Sequence, residues 1–103
     1  MRFIKVVGVM FEGRQELLEE LYDISAKEII VVLRREPSNT YDKNAIKVVL
    51  IHEKSEFEVG YISADNAVEY AQQLDSGTQF DFRLSKIDKF KGTYYCELAD
   101  MTV

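Results

Sequence analysis

Residues 34–48 read RREPSNTYDKNAIKV and join two apolar runs, EIIVVLRR at 28–35 and AIKVVLI at 45–51. Continuous runs of β-branched residues of this length are typical of buried strands. The segment between the runs contains Pro37 and several Asn, Asp and Ser residues, which fix φ, tolerate left-handed backbone and hydrogen-bond to nearby backbone. The stretch therefore predicts two buried strands joined by a structured loop.

Outside this stretch, the pattern predicts four further strands. One spans 3–11 (FIKVVGVMF), where Gly8 indicates a bulge or a close approach by another backbone, and one spans 57–62 (FEVGYI). The chain then ends in alternating apolar residues and the run TYYCEL. These predict a β-hairpin that turns near Lys91 and Gly92.

Two segments have helical periodicity. Three leucines recur on one side of a helix over 13–22, and apolar residues recur at the same spacing over 64–74, with Ser63 as a candidate N-cap and Gly77 as a stop. Six short strands avoid exposed edges by closing into a barrel. We therefore expect a mainly β fold, a small six-stranded OB- or SH3-like barrel with two short helices, forming one domain over residues 1–103.

The charge is distributed unevenly along the 103 residues. The net charge of −5 argues against a protein that coats a phosphate backbone, since such proteins are usually basic. However, residues 1–52 carry eight Lys/Arg against eight Asp/Glu, whereas residues 53–103 carry five against ten. An anionic ligand should therefore favour the N-terminal half.

The sequence shows neither a secretion signal nor a membrane-spanning run. Cys96 is the single cysteine, so no disulfide framework is available, and no run approaches the ~18 apolar residues of a transmembrane helix. The first apolar run carries charge and lacks a signal-peptide cleavage site. These features predict a cytoplasmic protein with no membrane association.

Most catalytic and metal-binding sites lack the residues they need. Structural zinc normally takes four Cys or His ligands, and the chain offers only His52 and Cys96, the latter in an apolar strand. No nucleophile elbow, phosphate-binding glycine loop or EF-hand motif occurs, and Glu53, Glu56 and Glu58 are typical of a solvated acidic stretch. We therefore expect no enzyme activity, no metal and no cofactor.

The loop between the two apolar runs combines residue types found in binding sites. Tyr41 can stack on a base, Arg34 or Arg35 can bind a phosphate, and Asp42 can accept a hydrogen bond from a hydroxyl or an amine. Asp42 and Asn44 are also ordinary loop-fixing residues, and Tyr41 can simply cap the barrel. Residue types alone leave both interpretations open.

The same loop resembles the signature of the HIRAN domain. That signature runs R-[ED]-P-x-N-x-Y-D-x-N-A-[IV]-x-V and continues with G-[YH]-[IL] and a helix. The matching residues here are Arg35, Glu36, Pro37, Asn39, Tyr41, Asp42, Asn44, Ala45, Ile46, Val48, Gly60, Tyr61 and Ile62. The opening VVGVMFEGRQ is also similar to the first strand of the family, with Gly8 and Arg14 at family-like positions, so the likeness covers about residues 3–75 well.

The resemblance implies both a fold and a function. HIRAN domains are modified OB- or SH3-like barrels, found alone in bacteria and phages and joined to helicase-like ATPases in eukaryotes. The joined form captures the free 3′ end of single-stranded DNA. Carried over, Tyr41 would stack on a base or contact a sugar, Asp42 would accept a hydrogen bond from the terminal 3′-hydroxyl, and Tyr61 would lie against the last phosphate. The implied role is a non-enzymatic DNA-binding module in DNA repair, with a helicase or nuclease as protein partner.

The sequence departs from the DNA-binding form at the phosphate contacts. An Arg-Tyr pair on the first strand aligns with Ile4 and Lys5, and a Lys at the start of the second helix aligns with Ala64. The candidates to replace these cations are Lys5, Arg14, Arg34 and Lys43. The missing cations and the acidic C-terminal half support a second hypothesis, a protein-interaction module that uses the same groove for a peptide or for self-association.

Overall fold

The computed structural model describes residues 1–11 and 13–102, and within these residues the chain forms six strands and two helices. The strands are β1 (Arg2–Val7), β2 (Ile30–Arg35), β3 (Ile46–His52), β4 (Ser55–Ile62), β5 (Phe82–Phe90) and β6 (Thr93–Asp100). The helices are α1 (Arg14–Leu21) and α2 (Ala64–Asp75). The expected mainly β fold with two short helices is confirmed.

The sheet closes on itself in the order β1-β4-β3-β2-β5-β6, and every strand pair is antiparallel. The β5–β6 hairpin pairs along its whole length, from Phe82 opposite Asp100 to Phe90 opposite Thr93. In contrast, β2 and β5 share a single pair, Ile30 opposite Arg83. The barrel is therefore closed, with its shortest seam between β2 and β5.

The barrel interior and one side of each helix form a continuous apolar core. Its fully buried side chains include Ile4, Leu18, Leu21, Ile46, Val48, Leu50, Val59 and Leu98. Helix α1 packs against β4 and β6, so Leu18 and Leu21 cover the barrel from one side. Burial of each such leucine or isoleucine contributes about 1.5–3 kcal/mol, which offsets the entropy lost on folding.

Two predicted strands are shorter in the structure. The strand predicted over 3–11 ends at Val7, because Gly8 has a φ of +74° and begins a turn. In this turn the Phe11 N–H donates to the Gly8 carbonyl at 3.3 Å. The strand predicted from residue 28 begins at Ile30, because Ala26–Glu28 form a 3-10 turn. The first change matters most, since it moves Phe11 from a strand into a loop.

The predicted helix and hairpin ends are present, with one difference in mechanism. Ser63 precedes α2, but its hydroxyl makes no capping bond. Instead, its carbonyl accepts the Ala67 N–H at 2.8 Å. Gly77 follows α2 with a φ of +90°, and Lys91 and Gly92 turn the hairpin with φ values of +50° and +82°. Positive φ at both central positions matches the twist of the flanking strands.

Among the described residues, no helix has the length and apolar character needed to cross a membrane.

Candidate nucleic-acid interface

The loop between β2 and β3 is held in shape by its own side chains. Asn39 Oδ1 accepts the backbone N–H groups of Tyr41 at 2.9 Å and Asp42 at 3.0 Å, and Asp42 Oδ1 accepts the N–H of Asn44 at 2.8 Å. Such bonds replace the ladder hydrogen bonds that a strand would provide. Asp42 and Asn44 therefore do take part in fixing the loop, and Asp42 uses one carboxylate oxygen for this purpose.

Arg35 attaches the loop to α2. Its guanidinium donates to the carbonyl of Ala45 at 2.8 Å, to the carbonyl of Lys43 at 3.1 Å, and to the carboxylate of Asp75 at 2.9 Å. The hydrogen bond from Arg35 lowers the pKa of Asp75. Arg35 therefore has a structural role in the motif, because its guanidinium is already hydrogen-bonded to two backbone carbonyls and a carboxylate.

The loop faces a groove of about 460 Å³, which we call the loop groove. Its lining residues are Val7, Gly8, Phe11, Arg14, Asn39, Tyr41, Asp42, Ala45, Tyr61 and Ile62. The Tyr41 side chain is 98% exposed, so it does not cap the barrel. An aromatic ring at a groove with almost no packing of its own is available for stacking on a planar ligand.

Arg14 lies between two aromatic rings of this groove. Its Cζ is 5.2 Å from the Phe11 ring centroid and 5.3 Å from that of Tyr61, within cation–π distance. Its Nη1 donates to the Gly8 carbonyl at 2.6 Å, and a Cβ on Gly8 would lie 2.9 Å from this nitrogen. No carboxylate of residues 1–11 or 13–102 forms an ion pair with Arg14. Its remaining donors are available to a ligand.

The Tyr61 hydroxyl is hydrogen-bonded to the first of a chain of charged groups beside the groove. It donates to Glu36 Oε1 at 2.8 Å, while Lys47 Nζ lies 2.7 Å from Glu36 Oε2 and 2.5 Å from Glu58. The hydrogen bond from Lys47 lowers the pKa of Glu36 to about 2, against the opposing effect of burial and with help from Tyr61. Burial, together with this bond to Glu36, raises the pKa of Tyr61. The ring of Tyr61 therefore lines the groove, while its hydroxyl proton is donated to Glu36 and is not available to a ligand.

The depressed pKa of Glu36 predicts a contribution to stability that depends on pH. An unfolded glutamate has a pKa of about 4.3, so the stabilisation is complete above that pH and is lost as pH falls toward 2. Glu36→Gln should lower the free energy of unfolding at pH 7 by about 1–2 kcal/mol and reduce its change between pH 5 and pH 2. Urea denaturation at several pH values measures both. Glu20→Gln, which removes an exposed carboxylate, is the control, and equal pH profiles for the two variants would contradict the prediction.

The other candidate cations lie outside the loop groove. Arg34 pairs with Glu56 at 3.2 Å, and Lys43 is an exposed loop residue that does not line the groove. Lys5 lines a second groove, beside the β5–β6 hairpin. Of the four candidates, the structure brings only Arg14 together with Tyr41 and the other predicted ligand-contacting groups. Whether any of these residues contacts a ligand remains a prediction.

Phe11 is a groove residue that sequence reasoning missed. The strand predicted over 3–11 would have made it an ordinary strand residue, whereas the turn at Gly8 places its exposed ring in the loop groove. The two glycines on either side of Phe11, Gly8 and Gly13, were the available signal, and both have positive φ in the structure. Two such glycines within six residues indicate a loop and not a continuous strand.

His52 and Cys96 are the two residues of the types considered for structural zinc. No cluster of three or more His, Cys, Asp or Glu residues that could hold a metal ion occurs in the described part of the chain. Burial raises the pKa of the Cys96 thiol to about 12. A thiol of that pKa is protonated at neutral pH and is a poor nucleophile.

Comparison with known proteins extends the sequence resemblance. The model of the HIRAN domain family matches residues 3–98. The chain belongs to the HIRAN domain family. The match continues through most of the terminal hairpin, beyond the residues at which the motif likeness is clear. HIRAN domains are DNA-binding modules that are not themselves catalytic, so family membership supports nucleic-acid binding by this chain.

A solved HIRAN structure shares the fold. The crystal structure of the HIRAN domain of human HLTF matches with a TM-score of 0.63 and 23% sequence identity, covering 96% of this chain and 73% of that one. At this identity the likeness shows the fold alone. Comparison with the curated proteins gives no match.

Proposed function

We propose that this HIRAN domain binds the free 3′ end of single-stranded DNA in the loop groove. The observation that carries the proposal is the 98% exposed ring of Tyr41 beside Asp42, in a groove where Arg14 lies over the rings of Phe11 and Tyr61. Three aromatic rings, one cation and one carboxylate suit a terminal nucleoside with one phosphate. They do not suit a long polyanion.

Stacking would supply most of the affinity. Every base has a π face, and base–aromatic stacking is sequence-tolerant, so the open Tyr41 ring can accept any terminal base. The free donors of Arg14 can bind one phosphate or a base edge. Because Arg14 is the one cation among the described residues that line the groove, few counterions are released on binding. We therefore expect weak binding with a shallow salt dependence for the shortest oligonucleotides.

Asp42 would select an end over an internal site. Its Oδ1 accepts the N–H of Asn44, and its Oδ2 has no hydrogen-bond partner among residues 1–11 and 13–102. A free carboxylate oxygen can accept a hydrogen bond from a 3′-hydroxyl, but it repels a phosphate at the same position. A 3′-terminal hydroxyl is therefore favoured over a continuing chain.

Fluorescence anisotropy at low salt tests the proposal with two matched oligonucleotides, one ending in a 3′-hydroxyl and one in a 3′-phosphate. We expect the 3′-hydroxyl oligonucleotide to bind about tenfold more tightly or better, because the phosphate would meet the Asp42 carboxylate. Equal affinities, or no binding to either, would overturn the proposal.

Asp42→Asn separates the structural role of this residue from its selective one. Asparagine keeps an oxygen that can accept the Asn44 N–H, so the loop should be retained, while the negative charge is removed. We expect the preference for a 3′-hydroxyl over a 3′-phosphate to fall to about twofold or less, mainly through tighter binding of the 3′-phosphate. The same anisotropy titrations measure this, and an unchanged preference would assign end selection to another group.

A peptide-binding or self-associating module is the second candidate. It is favoured by the exposed apolar side chains of Val7 and Phe11, which line the loop groove, and by the exposed side chain of Met10, which precedes Phe11 in the chain. Light scattering during size-exclusion chromatography tests self-association, and a dimer that an oligonucleotide does not dissociate would favour this candidate. In either case we propose a helicase or nuclease as protein partner, since HIRAN domains supply binding and not catalysis.

A further inference from the structure

A second groove of about 420 Å³ adjoins the loop groove and has no role in the function proposed above. It lies between β1 and the β5–β6 hairpin, and we call it the hairpin groove. Its lining residues are Lys5, Val6, Lys86, Asp88, Phe90, Tyr95, Cys96 and Glu97. Lys5 and Val6 line the hairpin groove, and the next two residues of the chain, Val7 and Gly8, line the loop groove. Since consecutive strand residues are about 3.3 Å apart, one strand connects the two grooves over a short distance.

The hairpin groove offers two exposed aromatic rings. Phe90 is 63% exposed and Tyr95 is 46% exposed, near the free end of the hairpin. Lys91 Nζ lies 5.4 Å from the centroid of the Phe90 ring. Aromatic rings beside lysines along a groove are the arrangement by which proteins bind single strands without sequence preference.

Two lysines flank the groove in register. Lys5 on β1 and Lys86 on β5 are both paired with Glu97 of the intervening strand, so the two lysines flank Glu97 on neighbouring strands. Lys86 is 3.1 Å from Asp88, but both side chains are more than half exposed, and such a pair is weak and easily exchanged. Lys5 has no ion-pair partner among the described residues. Both lysines can therefore contact phosphates.

We infer that the hairpin groove binds the nucleotides on the 5′ side of the two 3′-terminal nucleotides. The bases stack on Phe90 and Tyr95, and Lys5 and Lys86 contact the phosphates. This inference rests on the proposed function, because it takes the 3′ end to occupy the loop groove. Asp88 and Glu97 keep the net charge of the hairpin groove near zero, so the gain in affinity comes mainly from stacking and only partly from charge.

Oligothymidylates of two and six nucleotides, each with a 3′-hydroxyl, test the inference by fluorescence anisotropy. In the unmodified protein the longer oligonucleotide should bind about tenfold more tightly or better, the effect of one or two additional stacked bases. The double variant Phe90→Ala/Tyr95→Ala should lose this gain and retain its affinity for the dinucleotide. Phe3→Ala is the matched control, since Phe3 is 59% exposed and lines neither groove.

The dependence of binding affinity on salt concentration tests the role of Lys5 and Lys86. For single strands, the slope of log affinity against log salt changes by about 0.7 for each phosphate contacted. Lys5→Ala/Lys86→Ala should reduce the slope by about that amount or twice it for the six-nucleotide strand, and leave the dinucleotide slope unchanged. Circular dichroism verifies that each variant is folded.

The outcomes separate the two proposals. A preference for a 3′-hydroxyl without a length-dependent gain, or with a gain that the aromatic double variant retains, overturns the role of the hairpin groove and leaves the loop groove unaffected. Failure of the unmodified protein to bind either oligonucleotide overturns both.

Discussion

Tyr41→Ala is expected to lower the affinity for a short single-stranded oligonucleotide by about 5- to 150-fold, the effect of losing about 1–3 kcal/mol of base stacking. Because the Tyr41 side chain is 98% exposed and packs against almost nothing, its removal should leave the free energy of unfolding nearly unchanged. Anisotropy titrations measure the first quantity, and urea denaturation measures the second.

Two further variants identify the interaction. Tyr41→Phe keeps the ring and should restore binding to within a few-fold of the unmodified protein, because stacking needs the π face and not the hydroxyl. Phe3→Ala removes another exposed ring, which is 59% exposed and lies outside both grooves, and it should not affect binding. If Tyr41→Ala bound normally, or if Phe3→Ala weakened binding as much, stacking at the loop groove would be the wrong explanation.

Gly60→Ala is expected to cause a large loss of stability, about 3 kcal/mol or more, because a side chain has no room at this position. A Cβ on Gly60 would overlap the backbone carbonyl oxygen of Val7 and lie 2.7 Å from Val6 Cγ1. A backbone atom cannot rotate away as a flexible side chain can, so β1 would have to separate from β4. Since Val7 also lines the loop groove, oligonucleotide binding should be lost together with stability.

Gly92→Ala is the matched control for this effect. A Cβ on Gly92 would have no heavy atom within 4 Å, so its cost is limited to the left-handed backbone, about 1 kcal/mol. Urea denaturation of both variants should therefore show a clearly greater loss for Gly60→Ala, although the backbone at Gly60 has no positive φ. Similar losses for the two variants would show that the contact between β1 and β4 relaxes easily.

Much of the fold was predictable because its signals are local. Alternating or continuous apolar residues, helical spacing of leucines and alanines, and turn residues such as Lys91-Gly92 act through neighbours in the chain. The errors lie at element ends, where tertiary contacts compete with local preference. The strand predicted over 3–11 was wrong from Gly8 onward, because the positive φ of Gly8 and its contact with Arg14 turn the chain away from the sheet.

The candidate site was predictable only in part. Tyr41 and Asp42 come from one loop, and Tyr61 follows from the same family motif, so all three were identified together. Phe11 was missed because its place depends on the turn after β1. Glu36 was assigned no positioning role, because its bonds to Tyr61 and to Lys47 connect residues far apart in the chain.

From the sequence alone, we could predict the six strands and two helices, a structured loop between β2 and β3, and a resemblance to the HIRAN family, since each of these signals rests on residues that are close together in the chain. Tertiary contacts, in contrast, determine which cation shares a groove with Tyr41. The pairing of Val7 with Tyr61 brings the end of β1 to the loop, whereas the pairing of Lys5 with Glu97 places Lys5 beside the hairpin. These pairings join residues more than fifty positions apart, and closure of the barrel determines them.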